Sequence, residues 1–221
     1  MTDLVLHERI AGGKDWATLL FVFCFIIIAV NRSAFGSRFS EFIKLAFSDK
    51  YTKIYKDGGN IFSWFTISFF FIQIVSFAFL IQLLLASVGM AEKTNWITFI
   101  QISTLIGVFI LAKYLIEKII ATSFNIEEFN EQYNLHKVNY RTYIGLLLLP
   151  VNVILYYNDK LPAVVLYSIT GIILLAAVIS YLVSLRNYQN AILGKLFYFI
   201  LYLCALEIAP YYFMYYWFTN V

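Results

Sequence analysis

Charge is scarce in this chain. Only 13% of its 221 residues are charged, where a water-soluble domain carries about 25%. Set beside 62% hydrophobic residues, that shortfall excludes a polypeptide folded mainly against water. Histidine is reduced to His7 and His136, one on each predicted side of a membrane, which argues against a histidine metal centre or proton relay. Cys24 and Cys204 both sit inside apolar runs, where a thiol behaves as a small buried hydrophobe and tells nothing of redox compartment. The sequence has no Walker loop, no dinucleotide GxGxxG, no HExxH or other zinc spacing and no GxSxG elbow. It also has no aspartate-rich motif of the kind that holds Mg²⁺. Glu127, Glu128 and Glu131 could hold a cation, but a solvated helix start also accounts for them. No cofactor is expected. The net charge of +3 is spread beside apolar runs and not clustered on one folded face, so nucleic acid is not an expected partner.

What is present is a series of apolar runs separated by polar intervals, the longest of which runs from Arg32 to Asn60. That interval holds Arg32, Arg38, Lys44, Lys50, Lys53 and Lys56 against Glu41, Asp49 and Asp57. Loops rich in Lys and Arg stay in the cytoplasm, so this interval sets the expected threading. Six spans follow, at about 16–35, 61–87, 96–120, 140–157, 162–185 and 191–218, each long enough at about 1.5 Å per residue to cross most or all of roughly 30 Å of hydrocarbon. The predicted fold class is all-α: a single polytopic transmembrane domain over 1–221, with both termini outside and two cytoplasmic amphipathic segments. Of the 16 cations only Arg9, Lys14, Lys93 and Lys160 fall outside in this scheme, and aromatics such as Tyr156, Tyr157 and Trp217 gather at the outer boundary, where amphipathic rings prefer to sit. The leader before the first run is about neutral, with Arg32 and Arg38 after the run. It reads as an uncleaved anchor and not as a signal peptide.

Between the first two spans, Phe39, Phe42, Ile43, Ala46 and Phe47 recur at helical spacing, with Arg38, Ser40, Glu41 and Lys44 on the other side. The pattern predicts an amphipathic helix over 37–48 that either floats in the cytoplasmic interface, where anionic lipid would meet its cations, or packs on the protein's own spans. A second, weaker surface helix is expected over 125–140, where Asn125 would cap and Ile126, Phe129 and Tyr133 keep one apolar face. Near the inner end of the third span, Lys113 and Glu117 stand four apart, close enough to the boundary for the lysine to extend its head to the interface. Gly107, Gly145, Gly171 and Gly194 read as close-packing points.

Glu207 is the most informative single residue, since it lies within the sixth span three residues before Pro210. An acid at the centre of a span costs about 2.5–3.5 kcal/mol on insertion scales, so such acids face a partner or a hydrated cavity. Counting depth from the outer ends of the spans places Gln82, Gln101, Asn152 and Glu207 in one layer. Pro150 and Pro210 break the fourth and sixth spans close to that layer. The expectation is an outer-half polar cluster centred on Glu207, with Gln82 and Gln101 hydrogen-bonded across their hairpin. The plainer alternative is that each polar group only joins helices. Gln73, nine residues before Gln82, points to the opposite face and stays outside the cluster.

The segments Asp15-Trp16 with Leu20 to Cys24, Arg38-Phe39 with Glu41-Phe42, Phe47 to Tyr51, and Leu146 to Pro150 with Asn152 and Ile154 to Tyr157 resemble the bacterial membrane family catalogued as domain of unknown function 4271, found in Bacteroidota. The resemblance covers nearly the whole chain. It implies a multi-pass protein of the bacterial inner membrane and brings no catalytic or binding residues. Three functional readings stand on the sequence. The first is a non-enzymatic accessory or structural subunit of a membrane protein assembly. The second is a small transporter or channel with a polar path at Glu207. The third is an enzyme acting on a lipid or polyprenyl substrate, for which no acid, base or metal set is identifiable. The expected partners are the bilayer, another membrane protein or complex, and anionic lipid at the cytoplasmic face.

Overall fold

The computed structural model describes residues 14–46, 63–123, 127–158 and 162–187. Among them the chain is all-α, with six helices: α1 (Asp15–Ala34), α2 (Gly36–Ile43), α3 (Trp64–Ser87), α4 (Trp96–Ser123), α5 (Glu127–Tyr157) and α6 (Ala163–Asn187). A short 3₁₀ turn, Lys44–Ala46, continues α2. Among the described residues four segments, Asp15–Ala34, Trp64–Ser87, Trp96–Ser123 and Asn134–Tyr157, are long and apolar enough to cross a membrane. The expected sixth span, with Glu207 and Pro210, lies outside the described residues.

The helix ends follow from local chemistry. Ser63 begins α3 by accepting the Thr66 amide at 3.3 Å, and Asn95 begins α4 by accepting the amides of Ile97 at 3.0 Å and Thr98 at 3.4 Å. At the end of α3, Gly89 takes φ 80°, which lets the Gly89 amide reach Ala86 and the Met90 amide reach the Leu85 carbonyl at 2.9 Å. A side chain at that φ would be strained, which is why glycine closes this helix.

α3 is the central element. In its most apolar stretch 56% of the residues are buried, against 17% for α4, so α3 is wrapped by its neighbours while α4 turns most of its surface outward. α5 lies alongside α3 at backbone distance. A Cβ on Gly145 would stand 2.8 Å from the Gln73 Cα, so only glycine permits this approach, as its expected packing role requires. Gly107 is looser, with Ile74 Cδ1 at 3.6 Å, and Gly171 meets nothing within 4 Å.

At one end of the bundle Trp16, Phe21, Phe79, Phe99 and Tyr156 form a continuous aromatic layer, with Phe21 and Phe79 at 4.4 Å and Phe79 and Phe99 at 4.5 Å between ring centroids. Four helices contribute, so the start of α1, the end of α3, the start of α4 and the end of α5 lie together. Ser87 Oγ and Tyr167 Oη, 3.4 Å apart, bring the start of α6 to the same end. Helices α1, α4 and α6 therefore run opposite to α3 and α5, the alternation that successive crossings require.

The amphipathic helix packs on the protein's own helices. Phe39, Phe42 and Leu45 are buried; Phe42 meets Phe65, Phe69 and Tyr143 at centroid distances of 5.6, 5.2 and 5.9 Å, and Arg38 sits 4.7 Å above the Phe65 ring. Ile43 is exposed, and Phe47 lies outside the described residues.

A separate surface helix before the fourth span is not what forms. One 31-residue helix, α5, runs from Glu127 through Tyr157, and Asn134, Leu135, His136 and Asn139 are buried in the bundle. Nothing between Glu127 and Tyr140 breaks a helix, since that stretch holds neither Gly nor Pro. Burial of its polar residues overrides the surface pattern. Pro150 lies inside α5, which continues through it.

Candidate functional site

The polar residues expected to cluster are divided among different tasks. Gln82, buried on α3, donates its amide hydrogens to the carbonyls of Glu92 at 3.2 Å and Asn95 at 2.8 Å, and so pins the α3–α4 loop from below. The Trp16 indole holds the same loop from the side, donating to the Thr94 carbonyl at 3.0 Å. Gln101 is exposed on α4. Its side chain does not meet Gln82, because Gln82 turns toward the loop backbone. Asn152, fully buried on α5, donates to the Ser76 carbonyl at 2.7 Å. Glu207, the expected centre, lies outside the described residues.

Other polar contacts in this interior also join helices. Ser68 donates to Asn31 Oδ1 at 3.1 Å, linking α3 to α1, and the hydroxyls of Thr18 and Tyr157 link α1 to α5. Where α3 meets α5, several buried atoms have no hydrogen-bond partner among the described residues: both amide atoms of Gln73, Ser76 Oγ and Asn152 Oδ1. Gln73 is not in the layer of Gln82; it lies against Gly145.

Charge collects at the opposite end of the bundle, between α4 and α5. Lys113 and Glu117 stand one turn apart on α4, with Lys137 and Arg141 one turn apart on α5. Lys137 Nζ lies 3.1 Å from Glu117 Oε1, joining the two helices through a carboxylate that is 3% exposed. Lys113, expected to extend to the interface, is buried at 8% exposure. These four side chains line a cleft of about 320 Å³ together with Asn134. Another part of the lining is apolar, formed by Ile67, Phe70, Ile110 and Leu111. The lining thus carries three cations against one carboxylate beside a hydrocarbon surface. A smaller cleft of about 180 Å³ adjoins it, lined by Lys118, Glu127 and Glu131 among others and sharing Tyr114 and Asn134. No group of three or more His, Cys, Asp or Glu placed to hold a metal occurs among the described residues.

Lys113 and Glu117 are legible in the sequence as an i,i+4 pair, whereas their partners on α5 are not, because Lys137 lies in a stretch patterned like a surface helix. The available signal is spacing: Glu117 and Lys137 stand 20 residues apart, each in a charged i,i+4 pair, and come face to face when their two helices are antiparallel.

Over residues 17–218 the chain matches the family model described as Domain of unknown function (DUF4271), and it belongs to that family. No curated protein and no solved structure matches it.

Proposed function

We propose that this member of the DUF4271 family is a non-enzymatic accessory or structural subunit of a membrane protein assembly in the bacterial inner membrane. The observation that carries the reading is the Asn152–Ser76 hydrogen bond, a fully buried amide donating to the backbone of another helix. A residue expected to line a polar path spends its donor on holding α5 to α3. Gln82 spends both of its donors on a loop. With the interior devoted to cohesion, the activity belongs to the surfaces: the outward face of α4, and the end of the bundle with α2 and the Lys113–Arg141 cleft. That end faces the cytoplasm, since cation-rich loops are retained there. Purification of the full chain in mild detergent after crosslinking in cells is expected to recover a second membrane protein in stoichiometric amount. Consistent recovery of the chain alone overturns the reading.

A transport reading draws support from a different observation. The Gln73 amide, Ser76 Oγ and Asn152 Oδ1 are buried without partners among the described residues at one helix interface, and Pro150, exposed on α5 two residues before Asn152, removes a backbone donor from that helix. Unsatisfied polar groups of this kind are costly unless water or a solute meets them.

A further inference from the structure

The geometry points to the cleft between α4 and α5 as a binding site for one anionic phospholipid, its phosphate held by Lys113, Lys137 and Arg141 and an acyl chain lying on Ile67, Phe70, Ile110 and Leu111. This goes beyond the accessory reading and rests on no part of it. Three features of the cleft specify the ligand.

The first is charge. The lining has three cations and one carboxylate, and Lys137 bridges to that carboxylate at 3.1 Å. An anion entering the cleft therefore meets an excess of positive charge, with the Asn134 side chain as a further polar neighbour. Arg offers a planar fork of donors to phosphate oxygens, and Lys a mobile point charge.

The second is depth. At about 1.5 Å per residue, Lys113 lies about 25 Å along α4 from Trp96, and Arg141 and Lys137 lie about 24 and 30 Å along α5 from Tyr157. Trp96 and Tyr157 belong to the other end of the bundle. Lys137 thus reaches the far boundary of a hydrocarbon layer roughly 30 Å thick, and Lys113 and Arg141 stop about one turn short of it, a distance that a long side chain can span toward the headgroups. A soluble anion would have no use for what lies on the hydrocarbon side of them.

The third is the apolar wall beside the charged rim, with Ile67 and Phe70 on α3 and, on the side of Lys113 nearer the middle of the bundle, Ile110 and Leu111 on α4. Ile67 and Leu111 are exposed at 45% and 53%, so the wall opens sideways onto lipid. A phosphate and a hydrocarbon chain joined as they are in a phospholipid match this sequence of surfaces. Basic pockets between transmembrane helices are the kind of site that retains anionic headgroups.

The test uses the full chain in detergent and in nanodiscs, with dioleoylphosphatidylglycerol as probe, dioleoylphosphatidylcholine as the neutral control and inorganic phosphate as the soluble control. Native mass spectrometry is expected to show one retained phosphatidylglycerol, and added phosphatidylglycerol to raise the melting temperature where phosphatidylcholine does not. Arg141→Gln should weaken phosphatidylglycerol binding on the order of tenfold. Arg141→Lys should recover most of it, and Lys118→Gln, in the adjoining cleft, should leave it unchanged. If Arg141→Gln fails to fold, Leu111→Trp, which fills the lateral opening from an exposed position, should cause the same loss. Equal binding of the two lipids overturns the site, as does stabilisation by inorganic phosphate equal to that by phosphatidylglycerol. Undiminished binding by both Arg141→Gln and Leu111→Trp overturns it as well.

Discussion

The two ends of this bundle solve the same problem with different chemistry. At the Trp16 end, four helices meet through an aromatic layer, with the Lys93 ammonium 5.5 Å from the Tyr156 ring centroid, and neutral donors do the joining: the Trp16 indole and the Gln82 amide hold one loop by three hydrogen bonds to its carbonyls. At the Glu117 end, α4 and α5 are joined by an ion pair, Glu117 to Lys137, flanked by two more cations and an open cleft. Neutral amides suit the first end because a carbonyl acceptor fully meets their donors within the protein. Charges need either a partner or access to a polar boundary, and the second end offers both. Neutral hydrogen bonds join helices at one end, while the other sets an ion pair beside an open cleft.

The contrast breaks first at Glu117. Replacing it with Ala removes the counter-charge 3.1 Å from the Lys137 ammonium in a cleft that Lys113 and Arg141 also line. The expected cost is about 3 kcal/mol or more, read as a large drop in melting temperature in detergent, and Glu117→Gln should recover part of that loss by keeping the volume. A Glu117→Ala protein as stable as the parent would mean the pair is ornamental and the two ends do not differ. Gly145→Ala comes next. The added methyl would stand 2.8 Å from backbone, and with no side chain to rotate away the α3–α5 contact must open, at about 1–3 kcal/mol.

The smallest effects separate the readings of the interior. Asn152→Leu removes one helix-to-helix hydrogen bond, worth about 0.6 kcal/mol on average in membranes, whereas Gln101→Leu on the exposed face of α4 should change stability by less than about 0.5 kcal/mol. If Asn152→Leu lowers stability by that modest amount and leaves growth of the host unchanged, cohesion is its role. A growth defect at normal protein abundance shifts the balance to transport.

Much of the architecture is legible before any coordinates. The starts and ends of α1, α3 and α4 fall within a few residues of expectation because apolar runs, Ser63, Asn95 and Gly89 are local signals. The burial of Phe39 and Phe42 is likewise readable from helical spacing, although spacing alone left lipid and protein as equal occupants of that face. The stretch from Glu127 to Tyr140 carries enough polar residues to resemble a surface helix, yet it continues α5 into the bundle, because Lys137 and Asn134 find a polar environment that α4 supplies. Gln82 was matched with Gln101 by depth, but depth does not specify azimuth, and the loop carbonyls were nearer.

Composition and periodicity alone determined that this protein is helical and lies in hydrocarbon, since a chain with so few charges and such long apolar runs must satisfy its backbone within its own helices. They also determined where α1, α3 and α4 begin and end, because capping and apolar length act over a few neighbouring residues. Only the tertiary structure decided which polar groups meet: that Asn152 answers Ser76, that Gly145 admits Gln73, and that Lys113, Glu117, Lys137 and Arg141 share one cleft. Those pairings depend on the rotation and register of one helix against another. Both are set by side-chain packing summed over the whole interface, and no local stretch of sequence carries that information.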